Sequence, residues 1–154
     1  MYFRIKPHPW TKFYFTVHVI PACELKAHAK ALGHGRDGGN IPAMFEGAIN
    51  KHLGKIWLSC EELCVDYVAH ECLHATLHFL RCFGLEGCST KFDRNREEFL
   101  AHSQQYMFAH IVNRLMKMGM QMSSNKDVVA QFFWGQTLYG FIDLKSKKKK
   151  KKKA

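Results

Sequence analysis

The sequence predicts an α+β domain, and three observations carry that expectation. Residues 12–20, KFYFTVHVI, are rich in aromatic and β-branched side chains and stop at Pro21, as a strand does. Residues 54–59, GKIWLS, form a second short apolar segment with Ile56 and Leu58 flanking Trp57. From about residue 60 onward, apolar residues recur every three or four positions, the period of helices rather than strands. A chain of 154 residues is long enough for one domain with a real core and short for two. The expected organisation is one domain over residues 1–144 followed by a solvated lysine tail over 145–154.

Charge supports that division. The formal net charge is +10, yet Lys145 and Lys147 to Lys153 supply eight positive charges, which leaves about +2 for residues 1–144. A homopolymeric lysine run buries nothing and is expected as coil. It is either an electrostatic anchor for nucleic acid or an anionic surface through Lys147–Lys153, or an appendage without a role. The remaining composition, 47% hydrophobic and 23% charged, is that of a folding chain.

After the first strand, CELKAHAKAL reads as a short helix, closed by the glycine-rich loop GHGRDGGN at residues 33–40. Ser59 and Glu62 form an S-x-x-E capping box, which predicts a central helix from about Cys60 to Arg81, ending before Gly84. Asp93 or Asn95 caps a second helix over roughly Arg96 to Met118, with a seam through Glu98, Ala101, Gln105, Phe108, Val112 and Leu115 and a stop at Gly119. A last element follows Ser124, helical to about Gly135.

The six cysteines include no CxxC pair, which argues against a zinc ribbon or a thioredoxin-like site. The opening MYFRIKPHPW lacks the apolar core of a signal peptide, and no apolar run reaches the length of a membrane span. Free thiols in a reducing cytoplasm are the expectation. Oligomeric state is not legible.

The chemistry sits in VAHECLHATLHFL, residues 68–80, where His70-Glu71-Cys72-Leu73-His74 is an intact HExxH. Positions i and i+4 share one helix face, so two imidazoles can converge on one cation. Glu71 lies one residue of rotation away, near enough to take a proton from a metal-activated water without being a ligand. The competing reading is a histidine-rich core helix.

These residues resemble the zincin metallopeptidases, and within them the gluzincin pattern of HExxH followed by a glutamate on a later helix. That later segment is NREEFLAH, in which Glu98-Phe99-Leu100-Ala101 is similar to the E-x-x-A form of the third-ligand helix. The resemblance covers about residues 54–110 and is strongest to small single-domain HExxH proteins encoded by bacteriophages. It implies a minimal zincin-like domain: a small N-terminal sheet with an edge strand, the active-site helix, and a second ligand-bearing helix. Zincins place the strand before the active-site helix at the cleft edge, where extended substrate adds to it, and KIWLS takes that role. Carried over, the ligands of a Zn²⁺ ion are His70, His74 and Glu98, with Glu71 as general base.

Several positions stay open. Glu97 is the alternative third ligand, although it points about 100° from the predicted seam. His102, one turn past Glu98, is a neighbour of the metal or its third ligand. His78 extends the ladder of His70 and His74, but three successive turns of a straight helix cannot all reach one small ion, so it reads as a core or supporting residue. Tyr106, His110 and Tyr139 are candidates by type for stabilising an oxyanion. The SprT-like proteases, which act on nucleic-acid-bound proteins, also begin HExxHA, as here with Ala75, yet their histidine third-ligand segment is missing. The resemblance therefore implies a zinc peptidase with a protein or peptide substrate, located in the cytoplasm. A zincin-like binding or inhibitor protein with a structural metal is the alternative.

Overall fold

The computed structural model describes residues 1–34, 41–83 and 94–123. It has the α+β architecture expected, in the order β1 (Tyr2–Ile5), β2 (Tyr14–Ile20), α1 (Ala22–Ala31), β3 (Ala43–Gly47), β4 (His52–Ser59), α2 (Val65–Cys82) and α3 (Arg94–Lys117). The strands form one mixed sheet in the order β1-β2-β4-β3. β1 runs antiparallel to β2, β2 parallel to β4, and β3 antiparallel to β4.

Alternation along β2 sets the two faces. Phe15, Val17 and Val19 are buried, while Tyr14, Thr16, His18 and Ile20 take the opposite face. The inward residues join Phe3, Ile5, Ile56 and Leu58 in a core covered by Val68, Cys72, Ala75 and Phe79 of α2 and by Met107, Ile111 and Leu115 of α3. The other face carries α1, whose Leu25 and Ala29 pack on Met44, Ile20, Ile41 and Trp57. β4 keeps its apolar residues inward only through an irregularity at Gly54. The two steps from Tyr14 to Thr16 on β2 span three steps, His52 to Lys55, on β4. The extra residue lets Leu53 and Ile56 both face the core.

Three expectations are corrected. The segment KIWLS is not at the edge: β4 is paired on both sides, and the free edge next to it belongs to β3, which sequence reasoning missed along with β1. Helix α2 begins at Val65, not Cys60. The Glu62 N–H does donate to Ser59 Oγ at 3.3 Å, but that contact closes a turn. Leu63 and Val65 instead pair with Ser123, the Val65 N–H donating to its carbonyl at 3.0 Å and the Ser123 N–H to that of Leu63 at 3.0 Å. The α3 seam runs through Ser103, Met107, Ile111 and Leu115, whereas Ala101 and Gln105 are exposed. Phe108 and Val112 of the expected seam still pack against the core as half-buried residues, so the helix is rotated by about one position rather than turned away.

Other boundaries agree: α1 and α3 lie within about two residues of expectation, and Gly119 ends the last turn at φ +76°. Among the described residues no helix is long and apolar enough to cross a membrane. Cys23, Cys60, Cys64, Cys72 and Cys82 are thiols rather than half-disulfides. The expected last element after Ser124, the loop core at 35–40, Cys88 and the lysine tail lie outside the described residues.

Candidate metal centre

The HExxH sequence lies mid-helix in α2, where unbroken helical backbone sets the relative positions of its side chains. His70 is half-buried and His74 exposed, and their Nε2 atoms lie 3.0 Å apart with the rings at 77°. Two nitrogens sharing a tetrahedral zinc ion at its usual bond length sit about 3.3 Å apart. At 3.0 Å the two nitrogens are within hydrogen-bond distance of each other and about 0.3 Å short of that spacing, so a small opening would let both reach one cation. Burial, and then the neighbouring His74 charge, hold the His70 imidazole below its ordinary value, which favours the neutral form that ligation needs.

Glu71 turns inward and is buried, at 6% exposure. Burial pushes its carboxyl up to about 7, which gives it the proton affinity of a base working near neutrality. Cys72, next in sequence, belongs to the core. Burial, then the adjacent Glu71, push its thiol up to about 12, so it supplies neither a thiolate ligand nor a nucleophile.

The structure does not bring Glu98 to this pair. Its side chain is 59% exposed, and its Oε2 lies 3.7 Å from Nε2 of His102, which is 68% exposed. The helices run antiparallel: the start of α2 pairs with Ser123, and Phe79 near its end meets Phe99 at the start of α3, ring centroids 6.0 Å apart. At 1.5 Å per residue, Glu98 stands level with residue 80, about 9 Å along the axis from His74. Among the described residues no group of three His, Cys, Asp or Glu side chains converges as a metal site. Glu97 is exposed as well.

The remaining candidates have other surroundings. His78 donates from Nε2 to the Ala48 carbonyl at 2.9 Å and lies against Phe45 at 5.5 Å, so it ties α2 to β3. Tyr106 and His110 lie 4.2 Å apart with their rings tilted by 44°, and they line a groove with Phe3, Arg4, Ile5 and Lys6 on β1 and the residue after it, at the sheet edge opposite β3. Tyr139 lies outside the described residues.

Sequence reasoning also missed a polar network on the α1 face of the sheet. Glu46 accepts from Trp57 Nε1 at 3.2 Å and lies 3.4 Å from His28 and 3.8 Å from Lys55. Thr16 Oγ1 lies 3.0 Å from Nε2 of both His18 and His52. The alternation of KFYFTVHVI carries the signal: if Phe15, Val17 and Val19 face in, Tyr14, Thr16 and His18 face out together.

No family model matches the chain, and no curated protein or solved structure matches it significantly.

Proposed function

We propose that the chain is a metal-dependent hydrolase of peptide bonds, with His70 and His74 as metal ligands and Glu71 as general base. The observation that carries this reading is the 3.0 Å approach of the two Nε2 atoms, with Glu71, next in the chain to His70, a buried carboxyl whose proton affinity is raised. Zinc bound there would supply a Lewis acid that polarises a carbonyl and acidifies water. Glu71 takes the proton of the attacking water on its carboxylate and returns it to the leaving amine. The sheet supports the same reading. β3 pairs only with β4 among the described strands, and its outer edge offers backbone groups to an extended peptide, which would add as a further strand. The zincin-like resemblance and a cytoplasmic setting belong to this proposal.

The test measures zinc content and peptide cleavage in the purified chain and in Glu71→Gln. The expected outcome is zinc retained and cleavage lost in the variant. Cleavage retained in Glu71→Gln, or no zinc bound to the wild type, overturns the reading. The same test separates the alternative, since two ligands among the described residues leave a structural site as incomplete as a catalytic one. A zincin-like binding protein would hold metal without cleaving any peptide, in the wild type as in the variant.

A further inference from the structure

Among the described residues, the sheet face opposite α2 and α3 is covered by α1 only toward β3 and the end of β2, where Ile20, Met44 and Trp57 meet Leu25 and Ala29. Strand register sorts the side chains of the remainder into rows running across the sheet. Tyr2 stands opposite His18, which stands opposite Trp57. In the next row Arg4 is opposite Thr16, and Thr16 opposite Lys55; then Tyr14 is opposite His52. Successive rows are two residues apart, roughly 7 Å. A row with a cation at each end thus lies between two rows of flat rings.

The rings are placed as a platform. Tyr2 is 68% exposed and lies 5.6 Å from His18, their planes 18° apart. Tyr14 and His52 lie 5.3 Å apart, and the Arg4 guanidinium rests 4.8 Å from the Tyr14 centroid. Burial, then the Lys55 charge, hold His18 below its ordinary value, which keeps its ring neutral and suited to stacking.

Charge on this part of the molecule has one sign. Residues 1–20 and 50–58 contain Arg4, Lys6, Lys12, Lys51 and Lys55 and no aspartate or glutamate. The nearest carboxylate in the sheet, Glu46 on β3, is engaged by Trp57, His28 and Lys55. Past the β1 edge the cationic surface continues into the groove of about 370 Å³ between β1 and α3, where Lys6 and Arg114 join Arg4.

We propose that this face binds single-stranded nucleic acid, bases stacking on the two ring rows and phosphates meeting Arg4, Lys55 and the cations of the groove. Every nucleotide presents a flat π-face and an anion, which is the alternation the rows provide. A duplex hides its base faces, and an acidic peptide or anionic lipid surface matches the charge but leaves the rings unused. The proposal is independent of His70, His74 and Glu71.

The experiment measures anisotropy of fluorescein-labelled dT and rU 12-mers with the full chain across a salt series. Three proteins are compared: wild type, Tyr2→Ser/Arg4→Ser, and a full-length variant with Lys145 and Lys147–Lys153 replaced by Ser. Tyr2 and Arg4 are exposed, and a thermal melt verifies that the double variant folds. Loss of one stacking ring and one cation is expected to weaken binding at least tenfold and to lower the slope of log K against log salt by about 0.7. The loss is expected with the tail intact, and the tail-serine variant is expected to keep the Tyr2- and Arg4-dependent part of the affinity, which a fourth protein carrying both sets of changes then loses. Ultraviolet cross-linking of wild type to the dT 12-mer, with peptide mapping, tests the same face without mutation, and adducts are expected on Tyr2 or Tyr14. Unchanged affinity in the double variant, or adducts confined to residues 124–154, overturns the proposal. Equally tight, Tyr2-dependent binding to phosphatidylserine vesicles also overturns it.

Discussion

The imidazole of His78 occupies the space that a Cβ at Gly47 would need: such a carbon would lie 2.7 Å from His78 Cε1 and 2.9 Å from Nδ1. The same ring donates to the carbonyl of Ala48, so α2 is pinned to the last residue of β3 and the one after it. Gly47→Ala is therefore expected to destabilise the chain by about 1–3 kcal/mol, the usual cost of overpacking a tight contact. Urea unfolding at neutral pH measures it. Gly47→Ala/His78→Ala is expected to cost less than the sum of the two single changes, because removing the ring relieves the crowding. Strict additivity would show that the two residues do not share this contact.

Gly54 answers to a different constraint. Its φ of +138° is one that residues with a Cβ rarely adopt, and an added Cβ would collide with the Glu46 carbonyl oxygen on β3. Neither side of that contact can yield cheaply, since both are backbone. Gly54→Ala is expected to cost more than Gly47→Ala, about 2–4 kcal/mol, by thermal or urea denaturation. A loss below that of Gly47→Ala would mean that the strand irregularity relaxes without the glycine.

These two glycines mark the limit of what the sequence makes legible. The His70–His74 approach was readable because one helix fixes both partners, and spacing i, i+4 is local geometry. The strands β2 and β4 were readable because their alternation of Phe15, Val17 and Val19, or of Ile56 and Leu58, is also local. The placement of Glu98 was not. It depends on the rotation of α3, which turns on whether Ala101 and Gln105 or Ser103 and Met107 face inward, and both stripes contain small or polar residues. β3 escaped because Pro42, Glu46 and Gly47 leave too short an apolar run to signal a strand, and only pairing with β4 makes the segment one.

The Glu46 network predicts an acid-sensitive component of stability. Burial raises the Glu46 carboxyl, but hydrogen bonds from Trp57 and His28 and the charge of Lys55 outweigh it and hold the group below the ordinary carboxylate range. A depressed folded value means the ionised form stabilises the fold above the unfolded value of 4.5, and that contribution is lost as pH falls through the folded value. The side chain is 33% exposed, so solvent screening limits the effect to about 1 kcal/mol or less. Glu46→Gln is expected to be less stable than wild type at pH 7 and to converge with it at pH 3, as urea midpoints at both values would show. A gap that persists at pH 3 would assign the loss to packing.

His18 opens a second window, nearer neutrality. Its folded value is depressed by burial first and then by Lys55, so on acidification below 6.5 the unfolded chain takes up the proton before the folded one does. Stability is expected to fall as pH drops through that interval, with His18→Gln flattening the slope there and leaving the acid limb from Glu46 intact. A slope unchanged in the variant would place the titration on another histidine.

Glu98 separates the two sources of the metal reading. The resemblance assigns it as third ligand, while the structure pairs it with His102 and leaves it about 9 Å along the helix axis from His74. Placed there, the carboxylate does not converge with His70 and His74 among the described residues. Glu98→Gln is therefore expected to change zinc affinity by less than about threefold. His74→Ala removes one of the two converging nitrogens and is expected to weaken it at least 100-fold, since one imidazole on a surface helix is a poor zinc site. Competition titration with a chromophoric chelator reads both. Equal, large losses in the two variants would show that α3 turns Glu98 toward the pair when metal binds, and the ligand set would then be the three-residue one that the sequence motif implies.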